Sequence, residues 1–195
     1  MTIRQNILKT FYPLLMKSSK NSEKNAKEIV NKDKIQPAAS FYSLTALDNK
    51  GSEINFNQFA GKKTVIVNTA SDCGYTAQYA ELQKLYEKYS GKINLLGFPS
   101  NDFANQEKGT DEEIARFCKI NYSITFPLMK KSVVTKQPGQ NNIHRWLTDP
   151  KENGWNEHQP DWNFSKYIIN EEGLLTHYFG PSVSPLSKEI QTALK

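Results

Sequence analysis

Cysteine and histidine are scarce: two and three among 195 residues. Two thiols cannot close a tetrahedral zinc site, and His144, His158 and His177 form no ligand cluster with Cys73 and Cys118 in the sequence, so neither a structural metal nor a disulfide scaffold is expected. No apolar run approaches the roughly 20 residues that span a bilayer, and the amino terminus lacks the small-residue cleavage pattern of a secretory signal. The expectation is a cytoplasmic chain whose thiols stay reduced unless chemistry oxidises them. Nor is one sign of charge dominant. The net +5 comes from 25 Lys and Arg against 20 Asp and Glu, much of the surplus in the first thirty-odd residues, which is too diffuse to imply a nucleic-acid partner. With 37% hydrophobic and 23% charged residues, the chain also escapes the signatures of disorder and of collagen, leaving one ordinary globular domain.

What is present divides into three stretches. Residues 1–20 place Ile3, Ile7, Leu8, Phe11, Leu14 and Leu15 at near-helical spacing, with Arg4, Lys9, Lys17 and Lys20 among them. Such a basic amphipathic helix suits either docking on its own domain or peripheral contact with a membrane interface, and Pro13 is expected to disturb it near its middle. Residues 21–37, polar and Lys-rich, read as a linker, and a domain is expected over 38–195.

Within that domain, Phe41–Leu47 and Glu53–Phe56 flank Asp48-Asn49-Lys50-Gly51 as a hairpin. Thr64–Asn68 and Ile93–Phe98 have the β-branched or apolar character of buried strands, and Tyr79, Leu82, Leu85, Tyr86 and Tyr89 mark a helix between them. Thr110-Asp111-Glu112-Glu113 has the form of a capping box. After that helix come a strand at Phe126–Met129, a short helix at Ile143–Leu147, and a second hairpin over 164–179. Ser184-Pro185 then opens a final helix. This order describes an α/β fold, a central mixed sheet flanked by helices on both faces, with an added N-terminal β-hairpin.

The chemistry concentrates where Val67-Asn68-Thr69-Ala70-Ser71-Asp72-Cys73-Gly74-Tyr75-Thr76 leaves a buried strand for a helix. Unpaired N–H groups and the helix dipole favour a thiolate there, although Cys73 also suits a small buried hydrophobe and Asp72 opposes ionisation. A thiolate that reduces peroxide needs N–H donors to orient it and to help the leaving oxygen depart. The segments 97–107 and 162–164 contain such donors, and each has an ordinary structural explanation as well. A Cys-His hydrolase is disfavoured because the three histidines lie in unremarkable settings.

From about Phe41 onward the sequence resembles the glutathione peroxidase family of thioredoxin-like proteins, through VNTASDCGYT, LGFPSNDFANQEKGTDEEI, FPLM, WNFSKYII and FGPSVSP in the family's order. The resemblance implies a thioredoxin-like fold, a thiol peroxidase acting on hydrogen peroxide and organic hydroperoxides, and no cofactor; the basic N-terminal helix adds the idea that it works near membrane lipid hydroperoxides. It assigns the peroxidatic role to Cys73 and the donor roles to Gln106, Trp162 and Asn163. Where many members read F-P-C-N-Q-F, this chain has Ser100 and Asp102, so no resolving thiol can come from there. Cys118 is then the candidate resolving cysteine, as in thioredoxin-dependent members, with an inert core cysteine as its alternative. Thioredoxin is the expected reductant, glutathione the alternative, and a peroxide sensor of the same fold the non-enzymatic rival.

Overall fold

The computed structural model describes residues 1–19 and 28–195. In chain order the elements are α1 (Ile3–Ser19), β1 (Glu28–Val30), β2 (Thr45–Leu47), β3 (Glu53–Asn55), β4 (Lys63–Thr69), α2 (Gln78–Lys88), β5 (Ile93–Pro99), α3 (Asp111–Tyr122), α4 (Asn142–Thr148), α5 (Pro150–Asn153), β6 (Lys166–Ile169), β7 (Leu175–Phe179) and α6 (Lys188–Ala193). Five strands form one sheet in the order β1-β7-β6-β4-β5, and β2 pairs with β3 apart from it. Only β4 and β5 run parallel; the other pairs are antiparallel, so the central sheet is mixed as expected.

The alternation along β4 shows how the sheet acquires two buried faces. Val65 and Val67 enter one apolar cluster with Tyr79, Leu82, Leu85, Cys118 and Ile190, while Ile66 between them enters the other with Phe41, Phe56, Trp146 and Tyr167. Each such side chain contributes about 1.5–3 kcal/mol on leaving water, which explains why the strand register tolerates no slip. Helices α1, α2, α3 and α6 contribute to the first cluster, and α4 to the second. The capping box is formed: Thr110 Oγ1 accepts from Glu113 N–H at 3.3 Å, and Glu113 Oε2 accepts from Thr110 N–H at 2.8 Å.

Several local expectations are corrected. Phe126–Met129 is not a strand but touches Gly97 and Asp48 through isolated bridges, because Pro127 has no N–H to extend a ladder. The last helix is capped by Ser187, not Ser184; Ser184 Oγ accepts from Leu186 N–H at 3.1 Å in the turn that precedes the helix, and donates to the Glu81 carboxylate at 2.5 Å. Glu28–Val30, inside the stretch read as a linker, supplies an edge strand to β7, and residues 21–27 of that stretch, with residue 20 before them, lie outside the described residues. Pro13 does not break α1, since Tyr12 and Met16 on either side of it are buried against the domain and hold the helical path.

Candidate active site

Cys73 follows β4 in a tight turn that two side-chain bonds hold in place. Thr76 Oγ1 accepts from Cys73 N–H and donates to Ala70 O, both at 2.9 Å. The turn continues through successive short bonds, Thr76 N–H to Cys73 O at 3.1 Å and Gln78 N–H to Tyr75 O at 2.8 Å, before α2 starts at Gln78. Cys73 therefore precedes the helix rather than opening it, which corrects the expectation of a direct helix-dipole effect. A single amide does the local work instead: Tyr75 N–H donates to Cys73 Sγ at 3.4 Å.

The other residues expected at the site converge here. The Asn163 amide and Trp162 indole lie near enough to the Cys73 thiol to pull its pKa down, and Asn163 Nδ2 donates to Gln106 Oε1 at 3.0 Å. Asn163 Oδ1 is buried without a hydrogen-bond partner among the described residues. Burial pushes the Cys73 thiol up from its ordinary range, the Tyr75 amide, Asn163 and Trp162 pull it back, and Asp72 adds a small upward push. That last contribution is weak because Arg4 faces the Asp72 carboxylate at 3.1 Å. No histidine figures among the groups that act on the thiol.

One positioning residue was not anticipated. Asn68, on β4, donates to Trp162 O at 3.1 Å, accepts from Ser165 N–H at 3.0 Å, and its carbonyl receives Phe164 N–H at 2.6 Å. It thus fastens the Trp162-Asn163 turn to the strand that carries Cys73. The signal was in the sequence: a lone amide ending an otherwise β-branched buried run needs buried partners. The turn also holds Phe164 at φ 68°, a left-handed conformation that a bulky residue adopts only when its surroundings impose it. Phe103 packs on Trp162 with ring centroids 5.3 Å apart, and Asp72 N–H donates to Gln106 O at 3.0 Å, tying the third loop in. Asp102, the residue that departs from the family pattern, points elsewhere and accepts from Val134 and Thr135 N–H at 2.7 and 2.9 Å.

Helix α1 lies across this turn. Gln5 Nε2 donates to Ser71 O at 3.1 Å, Tyr12 donates its hydroxyl to Glu81 at 2.9 Å, and Leu15 sits against Gly74, where any side chain at 74 would meet it at 2.9 Å. Cys73 has no exposed surface. Beside the turn a depression of about 610 Å³ is walled by Met1, Gln5, Asp72, Gln106, Ile114 and Phe117.

Cys118 lies within α3, in the same apolar cluster as Cys73, and both thiols are free and buried. Burial pushes the Cys118 thiol up to about 12, the Tyr79 hydroxyl beside it lowers it, and Glu107 adds to the rise. Its carbonyl accepts from Ser123 and Ile124 N–H at the end of α3, so bringing it to another sulfur requires that end to unwind. Glu107 itself accepts from Ser71 Oγ at 3.0 Å, and burial lifts its carboxyl from 4.5 to about 7 against the pull of Ser71 and Lys131. A carboxyl raised in the folded state favours the folded protein while protonated. Stability is therefore expected to fall as pH rises from 4.5 through 7, by up to about 3 kcal/mol. Urea unfolding of Glu107→Gln across that range should lose this slope, whereas an unchanged slope would assign it to other groups.

Residues 41–148 match the glutathione peroxidase family. The chain belongs to that family. It is 41% identical to glutathione peroxidase-like peroxiredoxin 2 of Saccharomyces cerevisiae over 158 residues, 80% of this chain and 97% of the yeast protein. A glutathione peroxidase homologue, BsaA of Staphylococcus epidermidis, is 40% identical over 157 residues, 80% of this chain and 97% of that one. Among solved structures, Trgpx in its apo form superposes with a TM-score of 0.63 at 28% identity, covering 80% of this chain and 94% of that chain. The family's thioredoxin-like architecture is thus the fold described above. Among the described residues no group of three or more His, Cys, Asp or Glu side chains is placed to hold a metal ion.

Proposed function

We propose that this family member reduces hydroperoxides through Cys73, is resolved by Cys118, and is recycled by thioredoxin. Peroxide reduction comes with the glutathione peroxidase family; the residue roles rest on the convergence of the Tyr75 amide, Trp162 and Asn163 on one sulfur. The Cys73 thiolate attacks one peroxide oxygen, the S–O bond forms as the O–O bond breaks, and the departing oxygen takes a proton and leaves as water or alcohol. Trp162 and Asn163 stabilise the thiolate and the developing charge, while the unpaired Asn163 Oδ1 offers an acceptor to the peroxide O–H and Gln106 fixes the amide's orientation. The product is a Cys73 sulfenic acid.

In the second stage the Cys118 thiolate attacks the sulfenic sulfur, the S–S bond forms and water leaves. A thioredoxin dithiol then exchanges with the disulfide and restores both thiols. One observation favours a second reading, direct reduction of the sulfenic acid by glutathione: Cys118 is fully buried in an intact helix and must be released before it can react.

The mass of the intact protein after one equivalent of hydrogen peroxide separates the two. Loss of two hydrogens is expected in the parent protein, and gain of one oxygen in Cys118→Ser. Gain of oxygen in the parent as well would overturn the resolving role and leave the one-cysteine cycle.

A further inference from the structure

The inner face of α1 is accounted for by its contacts with the Cys73 turn; the outer face is not. Ile3, Ile7, Phe11 and Leu14 are 82, 52, 55 and 65% exposed, although all four are large and apolar. At 3.6 residues per turn they fall within an arc of about 80°, one continuous stripe along a helix roughly 25 Å long. Ile120 of α3, 72% exposed and lining the same depression as Met1, extends the apolar surface sideways. A soluble domain rarely leaves so much aligned apolar area open without a use for it.

The charges beside the stripe say what it fits. Arg4, which is 65% exposed while it pairs with Asp72, borders it on one side and Lys17 on the other, and residues 1–19 contain no carboxylate at all. Two copies of the helix packed stripe to stripe would bring cation against cation. An acidic, apolar surface answers both features, with the stripe in the acyl boundary and the basic side chains at the headgroups. The helix is too short and too polar to cross, and no helix among the described residues meets the requirements for doing so.

We propose that α1 is an interfacial anchor that docks this protein on an anionic lipid membrane through Ile3, Ile7, Phe11 and Leu14. Because Gln5, Arg4 and Leu15 fasten the helix to the Cys73 turn and Tyr12 fastens it to Glu81 of α2, docking holds the mouth of the neighbouring depression at the lipid surface.

The test uses the full chain with vesicles of phosphatidylcholine alone or mixed with phosphatidylglycerol. Cosedimentation with the mixed vesicles is expected, weaker on phosphatidylcholine alone and weaker at high salt. Ile7→Glu/Phe11→Glu should bind at least about tenfold less while consuming hydrogen peroxide at the parent rate, since neither side chain faces the site. Equal binding by parent and variant, or none by the parent, would overturn the proposal. So would a parent protein whose apparent mass in solution rises with concentration and falls in the variant, because the stripe would then belong to a second copy.

Discussion

Replacing Cys73 by serine should lower peroxide consumption, with any reductant, by at least about three orders of magnitude. The substitution is nearly isosteric in a fully buried site, so circular dichroism and thermal unfolding should remain close to those of the parent. A serine hydroxyl there has no base to ionise it: the groups around the sulfur are an amide N–H, an indole, a carboxamide and a carboxylate already engaged by Arg4. The same environment sets the pH dependence. Burial holds the thiol above its ordinary range, so the oxidation rate of the parent should climb as pH rises above neutrality and level off only when the thiolate is fully formed. Retained turnover in Cys73→Ser would move the nucleophile to Cys118, the second thiol of the chain.

Asn163→Ala should slow the first oxidation step by about a hundredfold to a thousandfold, the usual cost of removing one preorganised donor from a site where charge develops. Two effects combine and can be separated. Loss of a donor to the thiolate raises the Cys73 pKa, which alkylation rates across a pH series read directly. Loss of the acceptor and donor facing the peroxide persists even where Cys73 is fully ionised, so a rate deficit should remain at the alkaline plateau. If the variant matches the parent there, Asn163 serves only to shift the thiol and does not touch the transition state.

Much of this arrangement was legible in the sequence because it is local. The buried strands, the tyrosine- and leucine-bearing α2, the Thr110–Glu113 box and the two hairpins are each specified by residues within one element, and they fold as that spacing implies. Some misplacements have local causes, such as Pro127 within Phe126–Met129; others turn on what the chain meets elsewhere. Ser184 looks like the cap of the last helix, and its hydroxyl does accept from Leu186 N–H, but that turn ends at Ser187, which caps the helix itself. Residues 28–30 look like linker until the open edge of β7 recruits them. The role of Asn68 depends on a turn 94 residues downstream, and no reading of its neighbours could supply that. Cys73, Gln106, Trp162 and Asn163 were singled out through the family's motifs, yet that Trp162 and Asn163 come to the Cys73 sulfur, with Gln106 behind Asn163, is a property of the chain's path.

That path has a mechanical consequence. Cys73, the proposed nucleophile, and the Trp162-Asn163 turn proposed to serve it are both bolted to β4, Cys73 through the Ala70–Thr76 link at the strand's end and the turn through Asn68 one residue before Thr69. Bending or breathing of the sheet therefore carries both ends of the reactive gap together, much as two optical parts on one rail keep their spacing when the table moves. The β2–β3 hairpin and the α4–α5 segment hold no part of that rail. Of the two, the exposed β2–β3 turn at Lys50-Gly51-Ser52 is where an insertion can be attempted with the chemistry left in alignment, since α4 buries Ile143, Trp146 and Leu147 in the second cluster.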